Sequence, residues 1–367
     1  MSEPPPIPGL SVSGCRDRQH VLREYLRSRK VDAALITDPR HVHYLTGYWG
    51  RQIFQPVLYV EREGRSVLSL PFAMEQEFAA DEVVCYTSNH IGTIVDDQLG
   101  AALAALPALP GGEVLTGCDA GLRPGLLPDL NAVDLLPVMT EMRRCKDADE
   151  LAMLQYIIGV TEFCYDYARE MLEPGLTEVE LFAGIQAAAA DEVGETLGEP
   201  GNDYQIGTPG GIPRRRAAEA GEMAILDLTL VVRGYRSDMC RSFVVGAKPT
   251  KLQAEARDMV LTVLERIESL IEPGITCREL YEEAAGLLKN ERGWTFPHHL
   301  GHGIGMSQHE APRLNPHWDD TLQIGDVFTL EPGLYHPELK AGVRIEQTYH
   351  LSEQGVDLLT EYPTELV

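Results

Sequence analysis

Two aspartates, Asp227 and Asp238, lie eleven positions apart in the mostly apolar stretch AILDLTLVVRGYRSDMCRSFVVG, residues 224–246. Two β-branched runs flank a turn near Arg233, a pattern that predicts a β-hairpin. A turn centred on Val232 and Arg233 makes the two aspartates face each other directly. A turn centred one residue later makes them diagonal neighbours on the same face. In both cases the two carboxylates lie close together.

Two like charges are unfavourable in a buried site. Either one carboxyl is protonated, or a cation lies between them. A third interpretation is that one or both aspartates face solvent at the edge of the sheet. The hairpin by itself leaves these alternatives open, so the rest of the chain has to distinguish them.

A second pair of acids and a group of histidines follow later in the chain. Glu331 ends the apolar run of FTLEPGLY, and Glu346 lies inside AGVRIEQTY. The two glutamates are near-opposite if the intervening HPELK turn closes a hairpin. The segment PHHLGHGIGMSQHE, residues 297–310, holds four histidines: His298, His299, His302 and His309.

Four buried carboxylates and an imidazole are a typical ligand set for two hard or borderline divalent ions that share bridging carboxylates. Such oxygen-rich ligation fits Mn²⁺, Fe²⁺, Co²⁺ or Zn²⁺. Two ions about 3.5–4 Å apart hold a bridging hydroxide at neutral pH. The residues alone therefore predict a di-metal hydrolase.

The first part of the chain alternates between helical and strand patterns, which favours an α/β domain. The predicted helices cover residues 17–30 and 94–106, and the predicted strands cover 32–37, 56–60, 66–70, 82–87 and 113–117. The pattern changes between residues 136 and 146. We therefore predict an N-terminal domain over residues 1–140 and a catalytic domain over residues 141–367.

An internal repeat organises the predicted catalytic domain. LEPGLTEVEL, residues 172–181, resembles IEPGITCREL, residues 271–280. In each copy a helix ends at Pro-Gly, and a Thr-x-x-Glu capping box begins the next helix. Predicted strands follow each copy, which indicates two helix–helix–hairpin halves related by pseudo-twofold symmetry. A site between the halves would take ligands from both.

The composition excludes several classes of function. The net charge is −25, whereas nucleic acids and anionic membranes require a basic surface. No apolar run approaches the ~18 residues of a membrane span. The seven cysteines are scattered and form no CxxC motif, as is typical of reduced thiols. We expect a cytoplasmic protein with a peptide or small-molecule substrate.

The sequence resembles the pita-bread metallopeptidases, among them prolidase and aminopeptidase P, over nearly its whole length. VDAALITDPRHVHYLTGY (31–48) is similar to the start of the creatinase-type N-terminal domain, and EMRRCKDADEL (141–151) to the segment that opens the catalytic domain. The motifs GYRSD, GHGIG, EPGLY and VRIE match the surroundings of the family's metal ligands. The resemblance implies an α/β creatinase-like domain followed by an α+β pita-bread domain.

The resemblance also implies roles for individual residues. The metal ligands would be Asp227, Asp238, His302, Glu331 and Glu346. Asp227 would chelate one ion, Asp238 and Glu346 would bridge both, and His302 and Glu331 would complete the second. A metal-bridging hydroxide would attack the scissile carbonyl, and Glu331 would also transfer protons. We expect manganese as the metal.

The same resemblance assigns residues around the predicted metal centre. His298 and His309 match catalytic histidines that bind substrate and stabilise the tetrahedral intermediate. Tyr335 and Arg344 match substrate-binding positions. A homodimer is also implied, because members of the family commonly dimerise.

The sequence departs from the family pattern in one segment. Most peptidases of the family carry a histidine about seventeen residues before the first aspartate, but no histidine lies between Gly207 and Asp227. Thr229 stands where the family has glycine, and Cys240-Arg241-Ser242 replaces Thr-Arg-Thr.

Three functions are compatible with these observations. The favoured one is an Xaa-Pro dipeptidase or Xaa-Pro aminopeptidase. The alternative is a metal-dependent hydrolase or lyase of a small non-peptide metabolite, with the run Arg214–Arg216 as a candidate anion site. A binding module without catalysis is disfavoured, because all five ligand positions are present.

Overall fold

The computed structural model describes residues 6–107, 113–123, 125–198 and 203–367. They form two compact units: Gly9–Arg143, and Arg144–Val367 together with the described residues before Gly9. The predicted domain boundary, between residues 140 and 141, lies three residues before this division.

The first unit is built on a six-stranded mixed sheet. Its helices are α1 (Val12–Arg29), α2 (Pro39–Thr46), α3 (Gln98–Ala104) and α4 (Leu136–Met142). Its strands are β1 (Ala33–Ile36), β2 (Val57–Glu61), β3 (Ser66–Leu70), β4 (Glu82–Cys85), β5 (Asn89–His90), β6 (Thr93–Ile94), β7 (Leu115–Cys118) and β8 (Asn131–Asp134). The sheet has the order β4-β3-β2-β1-β7-β8, in which β1 pairs antiparallel with β2 and parallel with β7. The predicted α/β pattern of this unit is confirmed. The helix predicted over residues 94–106 is shorter, because residue 94 belongs to β6 and α3 begins at Gln98.

Two pairs of helices in the second unit share one design. The helices are α5 (Ala148–Met171), α6 (Glu178–Val193), α7 (Lys251–Glu268) and α8 (Cys277–Leu287). Thr177 and Thr276 begin α6 and α8 with complete capping boxes. Each capping box is preceded by a Pro-Gly whose glycine has a positive φ, 100° at Gly175 and 94° at Gly274. The Pro-Gly helix ends and the capping boxes predicted from the repeat are therefore present in both halves.

Strands follow each helix pair. The first half contains β9 (Met223–Leu228), β10 (Val231–Val232), β11 (Tyr235–Arg236) and β12 (Met239–Val244). The second half contains β13 (Gly301–Gly303), β14 (Glu310–Leu314), β15 (Val327–Leu330), β16 (Gly333–His336), β17 (Ala341–Arg344), β18 (Gln347–Ser352) and β19 (Gly355–Leu358), with a 3₁₀ turn at Pro337–Leu339. Strands β14-β13-β15-β18-β19 form one sheet, and β12-β9 and β16-β17 form pairs.

The predicted sequence of helices and strands in the two halves is confirmed. Helix α7 and strands β9 and β17 bury their apolar faces in one continuous core, which includes Ile225, Val260 and Val343. That core supports the strand ends that carry the acids. Among the described residues, no helix combines the length and hydropathy that a membrane span requires.

Candidate metal centre

The first acid pair is set by the register of one hairpin. Arg233 and Gly234 occupy the turn with positive φ values of 48° and 86°, and Val232 pairs with Tyr235. Asp227 therefore pairs with Cys240, two residues beyond Asp238. The later of the two possible turn centres is correct, so the aspartates are diagonal neighbours on the same face. Both are buried rather than exposed at the sheet edge.

The second acid pair lies at the ends of paired strands. Gly333 pairs with Arg344, and continuing this register brings Glu331 opposite Glu346, as the HPELK turn predicted. The backbone N–H of Glu346 donates to the carbonyl of Cys240 at 3.0 Å. This bond ties the second half to the strand that pairs with Asp227. Both glutamates are buried.

His302 lies in the centre of the short strand β13 between two glycines. A Cβ on Gly301 would lie 1.9 Å from the carbonyl oxygen of Thr329, and a Cβ on Gly303 would lie 2.0 Å from that of Ala311. Only glycine allows the neighbouring backbones to approach so closely. The GHG pattern is therefore a steric requirement of the strand that presents the imidazole.

A backbone bond sets the tautomer of His302. Its Nδ1 lies 3.0 Å from the carbonyl oxygen of Gly303, which can only accept, so Nδ1 carries the proton. The lone pair of Nε2 then points toward Asp238 Oδ2 and Glu331 Oε1, each 3.7 Å away. This is the usual arrangement of a metal-binding histidine, with the second ring nitrogen held by an oxygen.

The five predicted ligands form two overlapping groups. Ligand atoms of Asp238, His302 and Glu346 lie within 4.8 Å of one another, and so do those of Asp227, Glu331 and Glu346. Glu346 belongs to both groups. Two adjacent cation positions with a shared carboxylate are the geometry expected of a di-metal centre.

The electrostatics of these side chains are unfavourable without a cation. Burial raises the pKa of Asp238 and Glu346 well above their usual values, and the neighbouring carboxylates add to the effect. Burial also raises the pKa of Glu331 to about 8. Burial raises the pKa of Asp227 as well, against the opposing effect of Arg344. Divalent cations reverse this balance, because they stabilise the charged form of every carboxylate around them.

Unpaired polar atoms give a second test of the fit. Asp227 Oδ1 and both carboxylate oxygens of Glu346 are buried and have no hydrogen-bond partner among the described residues. Buried acceptors in native proteins are almost always satisfied by a donor, water or an ion. The residues therefore fit a pair of divalent ions.

The two departures near the first aspartates are compatible with this fit. The Thr229 hydroxyl donates to Asp238 Oδ1 at 3.0 Å, so the residue in place of glycine orients a predicted ligand. The Cys240 thiol is fully buried, and burial raises its pKa well above the usual value. It is therefore a neutral neighbour of the centre.

A row of hydrogen bonds connects Arg344 to His298. Arg344 Nη1 donates to the Tyr335 hydroxyl at 3.3 Å, and that hydroxyl lies 2.7 Å from His298 Nε2. His298 Nδ1 donates to the carbonyl of His299 at 2.8 Å, so Nε2 accepts from Tyr335. Burial lowers the pKa of His298 to about 3, which keeps its ring neutral. Three predicted substrate residues thus act as one connected unit.

His309 joins the centre through its ring. It stacks on His302 with ring centroids 4.0 Å apart and an interplanar angle of 21°. His309 itself is exposed to solvent. The imidazole therefore lies beside the predicted ligands on their solvent-exposed side.

Two residues of the site were missed in the sequence. His299 has no role among the predicted site residues, yet its Nδ1 lies 3.6 Å from Glu331 Oε1. Asp203 pairs with Arg344 at 2.5 Å. The His-His doublet was a usable signal for His299, but nothing in the local sequence singles out Asp203.

The arginine run has partners in its own half. Arg214 pairs with Glu178 at 2.6 Å, and Arg216 pairs with Glu222 at 2.5 Å. These bonds connect the segment to the start of α6 and to the residue that precedes β9. Two of the three arginines are therefore committed to carboxylates of the protein.

Two known protein families match the two parts of this chain. Residues 152–353 match metallopeptidase family M24, and residues 18–145 match the creatinase/prolidase N-terminal domain. The chain belongs to metallopeptidase family M24. It is a metallopeptidase with the creatinase-type N-terminal domain and the pita-bread catalytic fold, as the resemblance implied. Enzymes of the M24 family use two metal ions.

Relatives match the chain over most of its length. An uncharacterized peptidase of Staphylococcus aureus (strain USA300) is 28% identical over 361 residues, which cover 92% of this chain and 97% of the relative. The prolidase from Pyrococcus horikoshii OT3 superposes with a TM-score of 0.78 at 24% identity, covering 96% of this chain and 100% of the other. The Xaa-Pro dipeptidase from Bacillus anthracis gives 0.76 at 23% identity, covering 96% and 99%.

Proposed function

We propose that this M24 peptidase hydrolyses the Xaa-Pro bond of small peptides, as an Xaa-Pro dipeptidase or Xaa-Pro aminopeptidase. The observation that carries the proposal is the pair of potential metal-ligand groups that share Glu346, together with the hydrogen-bonded row of His298, Tyr335 and Arg344. The prolidase and the Xaa-Pro dipeptidase with the same fold support the choice of substrate. The roles of the individual site residues are part of the proposal.

The chain's own residues define the chemistry. Asp227, Asp238, His302, Glu331 and Glu346 would hold two divalent ions. When bound, such ions polarise the scissile carbonyl and supply a nucleophilic hydroxide at neutral pH. Glu331 lies beside His299 and His302, and in this proposal its carboxylate would take a proton and return it to the leaving nitrogen.

The surrounding histidines act on the substrate. His309 is solvent-exposed and in contact with the His302 ring, so it would donate to the carbonyl oxygen as charge develops there. His298 is neutral and fixed by Tyr335, and would orient the peptide without adding charge. Both roles need an intact metal centre but no direct ligation.

Further properties belong to the same proposal. Oxygen-rich ligation with a single imidazole favours manganese over softer metals. A homodimer and a cytoplasmic location stay predictions from the sequence.

The alternative substrate, a small non-peptide metabolite, is supported by the missing histidine alone. Its candidate anion site is weakened, because Arg214 and Arg216 already pair with Glu178 and Glu222. Arg215 remains exposed between them. The peptide substrate therefore has the stronger support.

Proline release from Xaa-Pro dipeptides and one Xaa-Pro tripeptide tests the proposal. The protein is loaded with Mn²⁺, Co²⁺ or Zn²⁺ in turn, and Asp238→Asn serves as the blank. We expect metal-dependent release, with the dipeptide-to-tripeptide ratio separating dipeptidase from aminopeptidase. No release from protein that holds two ions would reject the Xaa-Pro substrate and favour the non-peptide alternative.

A further inference from the structure

Asp203 occupies a central position in the first half although it is not one of the predicted site residues. Its backbone pairs with that of Asp227 in both directions, through N–H···O contacts of 3.2 and 3.1 Å. This local bridge brings the two side chains together at the end of β9. Asp203 is partly exposed, with 21% of its side chain accessible.

The two aspartates share one guanidinium nitrogen. Arg344 Nη2 donates to Asp203 Oδ2 at 2.5 Å and to Asp227 Oδ2 at 2.7 Å. The other oxygen of Asp227, Oδ1, has no partner among the described residues and is left for a cation. Asp203 thus competes with a predicted metal ligand for the same positive charge.

Removing that competition has a predictable direction. A guanidinium bonded to Asp227 alone draws more electron density from its carboxylate and leaves a net positive charge next to the cation sites. Both changes disfavour a divalent ion. Charges at such short distances in a buried site are weakly screened, so the effect is not confined to low salt.

Asp203 also fixes a loop. Its Oδ1 accepts from the N–H of Gly211 at 2.6 Å, and Tyr204 N donates to the carbonyl of Gly211 at 2.9 Å. A Cβ on Gly210 would lie 2.3 Å from Asp203 Oδ2, so the backbone packs directly on the carboxylate. This loop occupies the segment where the sequence lacks the family's histidine. The carboxylate therefore links that segment to Arg344.

We propose that Asp203 is a positioning residue of the metal centre, which keeps Asp227 available to a divalent cation by sharing the Arg344 guanidinium. The inference rests on the proposed di-metal site, and it concerns how the site is held rather than which peptide it cleaves. Among the described residues, the side chain of Asp203 has hydrogen bonds to Arg344 and to the Gly211 backbone.

The test compares Asp203→Asn, Asp203→Glu and a matched loop control. Gln205→Ala is the control. Gln205 Nε2 donates to the carbonyl of Ile212 at 2.9 Å in the same loop and does not contact Arg344. The full-length protein is stripped of metal and titrated with Mn²⁺ by calorimetry. Titration with Co²⁺ by visible absorption then reports the ligand environment.

We expect Asp203→Asn to weaken Mn²⁺ binding about 10–100-fold and to change the Co²⁺ spectrum, as loss of a residue that orients a ligand does. Asp203→Glu should restore most of the affinity, and Gln205→Ala should bind Mn²⁺ like the wild type. Asp203→Ala replaces the asparagine variant if circular dichroism shows that the latter is poorly folded.

Two results would overturn the inference. Unchanged Mn²⁺ affinity in a folded Asp203→Asn variant would show that Arg344 does not need a second carboxylate. An equal loss of Mn²⁺ affinity in Gln205→Ala would show that the effect comes from the loop and not from the shared guanidinium. Failure of the proposed function would be visible separately, because the metal titrations use no peptide. If Asp203→Asn weakens Mn²⁺ binding but the wild type releases no proline, this inference holds and the Xaa-Pro substrate is rejected.

Discussion

The hairpin of the first half and the strands of the second half each contribute two buried acids, but only the second half contributes histidine. No histidine occurs between His90 and His298. In the first half, Asp227 and Asp238 are oriented by Arg344 and Thr229. In the second half, both oxygens of Glu346 lack a partner among the described residues.

This difference shows what a repeated architecture preserves. The acid pairs recur because each half builds a hairpin behind a pair of helices, and a hairpin places acids on one face by register alone. The imidazole of His302 depends on β13, where Gly301 and Gly303 lie directly against neighbouring backbone. On the proposed roles, cation binding would be divided between the halves, whereas proton transfer and substrate contact would be concentrated in the second.

The largest expected effect tests whether the two acid pairs are equivalent. Asp238→Asn and Glu346→Gln should each abolish turnover and most metal binding, because each removes an anion from a group of buried ligands. Metal per chain and turnover are measured on variants whose folding is checked by circular dichroism. Normal activity and metal content in Asp238→Asn would reject the di-metal hypothesis.

The second prediction separates metal binding from substrate contact within the second half. His309→Ala should lower kcat roughly a hundredfold while metal content holds, because the ring stacks on His302 without being a predicted ligand. Kinetics and metal analysis of the same preparation test this. Loss of metal from His309→Ala would mean that the histidines are assigned wrongly.

The third prediction concerns the steric requirement that distinguishes the second half. Gly303→Ala should lower the free energy of unfolding by about 1–3 kcal/mol, because its Cβ meets the Ala311 carbonyl at 2.0 Å. Gly159→Ala is the control, since a Cβ there in α5 has nothing within 4 Å.

Chemical denaturation of both glycine variants gives the comparison. The helical control should gain about 0.5–1 kcal/mol, the usual advantage of alanine over glycine in a helix. Equal stability of Gly303→Ala and the wild type would mean that the strand can relax, and that the GHG pattern has another cause.

The smallest expected effect tests the first half as an anion site. Arg216→Ala should change the free energy of unfolding by less than about 1 kcal/mol, because its ion pair with Glu222 is partly exposed. Turnover on Xaa-Pro peptides should stay at the wild-type level. A large increase in KM with unchanged stability would instead support a substrate anion at the arginine run.

Much of this fold could be predicted from the local sequence. Periodicity predicted the strand at 66–70 and placed β2 at 56–60, one residue before its observed position. Capping boxes and Pro-Gly stops predicted the helices after Thr177 and Thr276 and the division into two similar halves. These signals are short-range, so they survive without knowledge of the tertiary structure. The acids inside apolar runs also predicted a buried site, because acidic residues are rarely buried without a partner.

Tertiary structure decided how those acids are used. One residue of turn register determined that Asp227 and Asp238 are diagonal rather than opposite. Arg344 and Asp203 are 141 positions apart, and no local pattern predicts their ion pair. The sequence by itself determined which side chains must be kept from water, since that follows from their neighbours along the chain. Which of them share a cation depends on long-range packing, and therefore only the folded chain determines it.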